Sequence, residues 1–398
     1  MVTITDVRAI LTQPGAARLV IVKVQTSEPG LHGLGCATFT QRAFAVKSAI
    51  DRHLAPFLIG RDVDRVGEIW QMSMVNGYWR NGPVLNNAVS GVDQALWDIK
   101  GKRAGMPVYE LFGGKNREAA AVYVHASGDD PHEVTDSVEE LSEQGYRHIR
   151  VQLGPYGGPT APMPQPRNAP AGSYFDPRAY SRATLAMIDH VRETVGERVE
   201  LLHDIHERLH PIDAVQFAKD VEPYKLFFLE DPFAPEDIGW FTTLRSQCAT
   251  PLAMGELFNN PHEWQGLITD RLVDFVRMHI SQIGGLTPAR DIAAFAHMFG
   301  IRTAWHGPAD TSPVGHTANL HLDISAPNFG IHEWYRPTDL DYEMFPGLGE
   351  VADGYLYPNS APGLGIDIDE QLAAAHPARD GVEEWTQTRL VDGSPARP

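Results

Sequence analysis

The reading of this chain turns on Leu201-Leu202-His203-Asp204-Ile205-His206-Glu207, an apolar run that ends in acids and histidines. The pattern recurs in Leu226-Phe227-Phe228-Leu229-Glu230-Asp231-Pro232 and again in Pro251-Leu252-Ala253-Met254-Gly255-Glu256. Asp204, Glu230 and Glu256 follow one another at a constant interval of 26 residues. Short apolar runs that each end in a carboxylate at one repeat length predict neighbouring parallel strands whose tips carry acids.

Around that core, strands alternate with helices from about residue 119 to 305. Ala119–His125, His148–Gln152, Val199–Asp204, Leu226–Glu230, Leu252–Glu256, Asp274–His279 and Arg302–Trp305 read as strands, with amphipathic helices between them. Alternation at this pace predicts a TIM-like α/β barrel, in which the strand C-termini share one face. Residues 1–117 have another texture. Strands over Val2–Leu11 and Leu19–Gln25 precede helices over Arg42–Leu58 and Asn86–Ala104, the last stopped by Gly105-Met106-Pro107. This is an N-terminal α+β capping domain, followed by a barrel over 118–340. Residues 341–398 lose the alternation and are expected to pack back on the capping domain. A Pro- and Gly-rich stretch, Gly154 to Pro177, is long enough to suggest a functional loop.

Composition narrows the function. The net charge of −18 disfavours nucleic acid, which needs a basic face. Cys36 and Cys248 are the two cysteines, too few for a disulfide framework or a Cys-rich zinc site. With no basic-then-apolar N-terminus and no apolar run of membrane-spanning length, the expectation is a cytoplasmic protein without membrane contact.

Carboxylates gathered at one point raise each other's pKa unless a cation joins them, and an all-oxygen set suits Mg²⁺. His206 falls on the Asp204 side if the strand continues, with His203 and Glu207 facing away. Opposed directions disfavour zinc on His203 and His206. Arg150, Arg277, His279, His306 and Asp310 fall on three further strand tips. Metal, arginine and histidine together fit a small carboxylate substrate with histidine moving protons.

These motifs, with Ile283-Gly284-Gly285, His306-Gly307 and the helix Gly91-Val92-Asp93-Gln94-Ala95-Leu96-Trp97-Asp98, resemble the enolase superfamily over almost the whole chain. Arg150-Val151-Gln152, Asp204-Ile205-His206-Glu207-Arg208 and Arg277-Met278-His279 make the D-mannonate dehydratase branch the most similar. The resemblance implies a modified (β/α)₇β barrel, with the capping domain completed by the C-terminal tail, and Mg²⁺ on Asp204, Glu230 and Glu256. It implies a hydro-lyase acting on D-mannonate or D-gluconate, with His206 as the acid. His125, Arg277, His306, Asp310 and Glu333 would hold the sugar acid. It also implies a homo-oligomer. The branch pairs the strand arginine with a tyrosine about a dozen residues on, but here that position is Pro162, leaving Tyr156 and Tyr174 as the tyrosines available beside Arg150. A Lys-x-Lys base is excluded by Arg150-Val151-Gln152. The alternatives are an epimerase or other acid-sugar dehydratase of the same superfamily, and an inactive relative with a regulatory binding role.

Overall fold

The computed structural model describes residues 1–154 and 165–397, and these form two compact units. The first contains Met1–Ala121, Glu256–Trp264 and Val276–Asp380; the second contains Val122–Gly255, Gln265–Phe275 and Gly381–Pro398. Among the described residues, no helix is long and apolar enough to cross a membrane.

In the first unit, Ile4–Thr12, Leu19–Thr26 and His32–Cys36 form an antiparallel sheet covered by the helix Pro83–Ala104. The helix sits unusually close. A Cβ on Gly35 would lie 2.0 Å from the Gly91 carbonyl oxygen, and one on Gly91 would lie 2.3 Å from Val22 Cγ2. Glycine is needed at both points because any side chain would push the layers apart. The close approach lets helix side chains bond the strand backbone directly. Leu34 N–H donates to Asp98 Oδ2 at 3.0 Å, and Cys36 N–H to Gln94 Oε1 at 3.0 Å. Gly105, with φ +66°, ends the helix in the left-handed conformation, as the Gly-then-Pro signal predicts. The expected helix over Arg42–Leu58 is interrupted by a π-turn at Ile50–Leu54.

The C-terminal residues divide between the units. Leu364 N–H donates to Asp98 Oδ1, and Glu370 bonds Arg8 and Lys23, so the stretch up to Asp380 packs with the N-terminal strands. Gly381–Pro398 differs from the expectation. Arg389–Leu390 pairs in parallel with Tyr174–Phe175, and Arg397 bonds Asp237, all within the second unit. The backbone of a two-residue strand needs a partner, and the Tyr174–Phe175 edge supplies it.

The second unit is built on parallel strands: Ala120–Gly128, His148–Leu153, Glu200–Asp204, Phe228–Glu230 and Leu252–Met254, each bonded to the next. The register pairs His125 with Arg150, Arg150 with Leu202, and Asp204 with Glu230. Paired residues of parallel strands point the same way, so His125, Arg150, Asp204 and Glu230 share a face. Asp176 caps the helix Pro177–Val195 through Arg178 N–H and Ala179 N–H, fixing where the loop ends.

Asp93 and Gly285, both within the sequence motifs, meet in the first unit. Asp93 accepts Thr287 N–H at 2.8 Å and Thr287 Oγ1–H at 2.5 Å, placing a carboxylate at the N-terminus of helix Leu286–Met298. Gly285 has φ +113°, and a Cβ there would lie 2.5 Å from Asp93 Oδ2. Burial raises Asp93 to about 7, against the opposing pull of the Thr287 bonds. The folded chain then holds this proton more tightly than the unfolded chain. Its contribution is full below the unfolded value near 4 and is lost as pH rises through about 7. Asp93→Asn should therefore flatten the fall in unfolding free energy between pH 5 and 8, by an amount on the order of 2 kcal/mol. Calorimetry of both proteins across that range checks it, and parallel curves would refute it.

Candidate active site

The strand Glu200–Asp204 ends where the sequence places its first acid, and the chain then turns sharply. His206 has φ +55° and Glu207 φ +51°, both left-handed. Asp204 makes this turn possible: its Oδ1 accepts His206 N–H at 2.6 Å. The strand therefore stops at Asp204, where the sequence reading ends it, and the chain does not continue as a strand through Glu207. Left-handed non-glycine residues cost energy and collect at functional sites. The His206 ring is half-buried, edge-on to Trp385 of the C-terminal segment at 6.1 Å.

His203 does face away, and it is structural. Its Nδ1–H donates to the Val151 carbonyl at 2.8 Å, so Nε2 accepts the Tyr180 O–H at 2.7 Å. Burial lowers His203 to about 4, so the ring stays neutral. Tyr180 was not visible as a partner in the sequence, because helical spacing alone marks it as core.

The second unit gathers Asp204, Glu230 and Asp231, whose ligand oxygens lie within 4.8 Å of one another. All three are buried. Backbone bonds lock the tips together: Ile205 N–H to the Glu230 carbonyl at 3.0 Å, Glu207 N–H to Asp231 at 2.9 Å, and Asp231 N–H to Ala253 at 3.0 Å. Arg150 Nη1 lies 3.2 Å from Asp204 Oδ2 and 3.6 Å from Glu230 Oε1. A buried all-oxygen set of this density fits a hard divalent cation. Asp231 lies in the Glu230-Asp231-Pro232 motif, but the 26-residue spacing singles out its neighbour Glu230. His125 stands level with Arg150 in the register. The Tyr174 hydroxyl donates to the Pro170 carbonyl at 2.6 Å. Tyr156 and Pro162 lie outside the described residues.

Glu256 belongs to the first unit, with Arg277, His306, Asp310 and Glu333. Arg277 is fully buried, and its Nη1 donates to Glu256 Oε2 at 2.6 Å while Nη2 donates to Glu333 Oε2. Gly307 N–H donates to the same Glu333 oxygen at 2.7 Å. His306 Nδ1 is 2.9 Å from Glu256 Oε2, and its Nε2 is 3.1 Å from Asp310 Oδ1. Burial opposes charge on His306, but Glu256 and Asp310 outweigh it and raise the ring to about 10. His279 stacks on His306 at 4.7 Å and is lowered to about 3 by burial and then by His306.

His279, His306 and Asp310 also have ligand atoms within 4.8 Å of one another. That cluster does not suit a metal. His279 Nδ1 accepts Ser281 N–H at 3.1 Å, so the neutral ring carries its proton on Nε2 and has no lone pair to offer.

Comparison with known proteins identifies the family. The profile described as "Mandelate racemase / muconate lactonizing enzyme, N-terminal domain" matches residues 3–113, and "Enolase C-terminal domain-like" matches residues 133–372. The chain belongs to the enolase superfamily. Its fold is therefore the superfamily's N-terminal capping domain with a C-terminal α/β barrel. The D-galactonate dehydratase family member RspA of Pantoea ananatis is 55% identical over 99% of both chains. A D-galactonate dehydratase family member of Musicola paradisiaca is 52% identical over 99% of both. The crystal structure of an enolase from Pantoea ananatis, with bound D-gluconate and Mg, is 54% identical over 100% of both chains with a TM-score of 0.98. These relatives place this superfamily member among D-galactonate dehydratase family proteins, a sugar-acid dehydratase group whose name is not that of the D-mannonate branch its motifs resemble.

The buried charges make a direct test. Arg277→Met leaves the buried Glu333 and the partly buried Glu256 without this guanidinium, and breaking such a buried pair costs about 3–5 kcal/mol. Urea unfolding should show the loss; a change under about 1 kcal/mol would contradict the burial and pairing described.

Proposed function

We propose that this protein is a Mg²⁺-dependent sugar-acid dehydratase, converting D-mannonate or D-gluconate to 2-keto-3-deoxy-D-gluconate and water. One observation carries the reading: Asp204 and Glu230 stand side by side in register, with Arg150 beside them and His206 on the turn that Asp204 itself holds. The Pantoea ananatis structure, which holds D-gluconate and Mg, supports it.

Asp204 and Glu230 would hold the metal, and the sequence spacing names Glu256 as the third ligand. A bound Mg²⁺ would supply positive charge where the substrate carboxylate becomes an enediolate. The remaining work falls to side chains. A tyrosine, Tyr156 or Tyr174, takes the proton from the carbon next to the carboxylate; Arg150 is the cation that brings a tyrosine within range. His206 then protonates the hydroxyl on the next carbon. The C–O bond breaks, its electron pair leaves with water, and the resulting enol becomes the 2-keto acid. His125, Arg277, His306, Asp310 and Glu333 bind the sugar-acid chain.

Purified protein with Mg²⁺ should form 2-keto acid from at least one acid in a panel of six-carbon and five-carbon aldonates. Glu256→Gln and Asp204→Asn should each lower kcat/KM about a thousandfold, the scale of several kcal/mol of charge stabilisation. His206→Asn should keep exchange of the α-proton in D₂O while losing product. Of Tyr156→Phe and Tyr174→Phe, the variant that loses exchange identifies the base. No product and no exchange from any acid sinks the proposal; exchange without product points to an epimerase.

A further inference from the structure

The helix Pro313–Ser325 is buried almost all round, yet it is not apolar. A fully buried helix is ordinarily hydrophobic on every face, because buried polar groups lose water. Here His316, Asn319 and Asp323 fall at spacings of three and four, which puts them on one stripe. Each is at most 1% exposed.

Each member of the stripe reaches the chain beside a site residue. His316 Nε2 lies 3.4 Å from the Pro308 carbonyl oxygen. Asn319 Nδ2 donates to the His306 carbonyl at 3.2 Å. Asp323 Oδ2 bonds His332 Nδ1 at 2.7 Å. His332 and Glu333 are consecutive in a short strand, so their side chains leave opposite faces. Asp323 therefore holds the back of the strand whose front presents Glu333 to Arg277 and Gly307. The fit is tight, since a Cβ on Gly307 would lie 3.0 Å from His316 Cε1 and 2.8 Å from the Glu333 carbonyl oxygen.

The stripe is not there to complete hydrogen bonding. His316 Nδ1, Asn319 Oδ1, Asp323 Oδ1 and His332 Nε2 are buried and make no hydrogen bond among the described residues. Burial raises Asp323 well above the usual carboxylate range and lowers His332 to about 4, which disfavours a charged pair here. Apolar residues of similar size would pack here at no polar cost.

We propose that His316, Asn319 and Asp323, with His332, form a positioning rail that sets the His306–Pro308 backbone and the Glu333 carboxylate for the substrate. The inference rests on the dehydratase reading for its kinetic consequence, but its structural half stands apart. None of the four is assigned to the chemistry; they act through His306, Gly307 and Glu333.

Two apolar replacements test it: Asn319→Leu, and the double variant Asp323→Leu with His332→Phe. Removing both members of a buried polar pair leaves stability nearly intact, so the double variant's Tm should stay within about 4 °C of the parent. Amide exchange at Gly307 should quicken about tenfold or more as the backbone loosens. On the sugar acid the parent turns over, kcat/KM should fall about tenfold to a hundredfold, the cost of a small misplacement. Asp323→Asn, whose amide N–H can donate to His332 Nδ1, should restore near-parental values. Unchanged exchange, or quickened exchange with unchanged kcat/KM, overturns the proposal. So does an Asp323→Asn variant as impaired as the double replacement. If the parent turns over no acid, the dehydratase reading fails on its own. Gly307 exchange then decides the rail, quickening in support and constancy against.

Discussion

Carboxylates at the ends of hydrogen-bonded parallel strands repel each other, and the second unit is organised around that repulsion. The register sets Asp204 directly beside Glu230, and Asp231 follows on a left-handed residue. Nothing in the backbone ladder can separate them, because each strand tip is bonded to the next. Arg150 compensates part of the charge. The geometry that would be a defect in a structural protein fits the proposed cation site, where an ion would meet ligands already gathered.

The first unit handles charge differently. It buries a guanidinium, Arg277, against Glu256 and Glu333, and couples His306 to Glu256 and Asp310. A neutral His279 stacks beneath a His306 whose carboxylate neighbours favour its charged form. The difference comes from partners. His279 has a backbone donor on Nδ1, whereas His306 has carboxylates on both nitrogens. An array with fixed donors, acceptors and charges suits a polyhydroxy acid, whose many oxygens need both kinds of contact.

Much of this was legible in the chain. The 26-residue interval between Asp204, Glu230 and Glu256 marked strand ends, because strand, helix and loop repeat with a fixed length in a parallel α/β fold. The Gly105-Met106-Pro107 stop and the motif glycines were readable for a local reason: glycine tolerates a positive φ or a close approach. Gly285 and Asp93 could be seen as motif residues, but not as partners, since 192 positions separate them in the chain. The strand at Glu200–Asp204 was foreseen with its end at Asp204, and the turn beyond it was not. The alternation rule extends a strand for as long as the pattern lasts, whereas here a carboxylate bonding its own backbone two residues on closes the turn.

The sequence by itself determined the superfamily architecture and the acids, arginines and histidines at strand tips, because periodicity and short motifs are local properties. Tertiary structure alone decided which group meets which. It put Asp231 with Asp204 and Glu230, gave His203 to Tyr180, and divided the C-terminal residues between the units at about Asp380. It also turned an ordinary-looking helix, Pro313–Ser325, into a buried polar stripe behind His306 and Glu333. Those outcomes depend on register, burial and long-range hydrogen bonds, where the cost of leaving a polar group unpaired is paid by residues far apart in the chain.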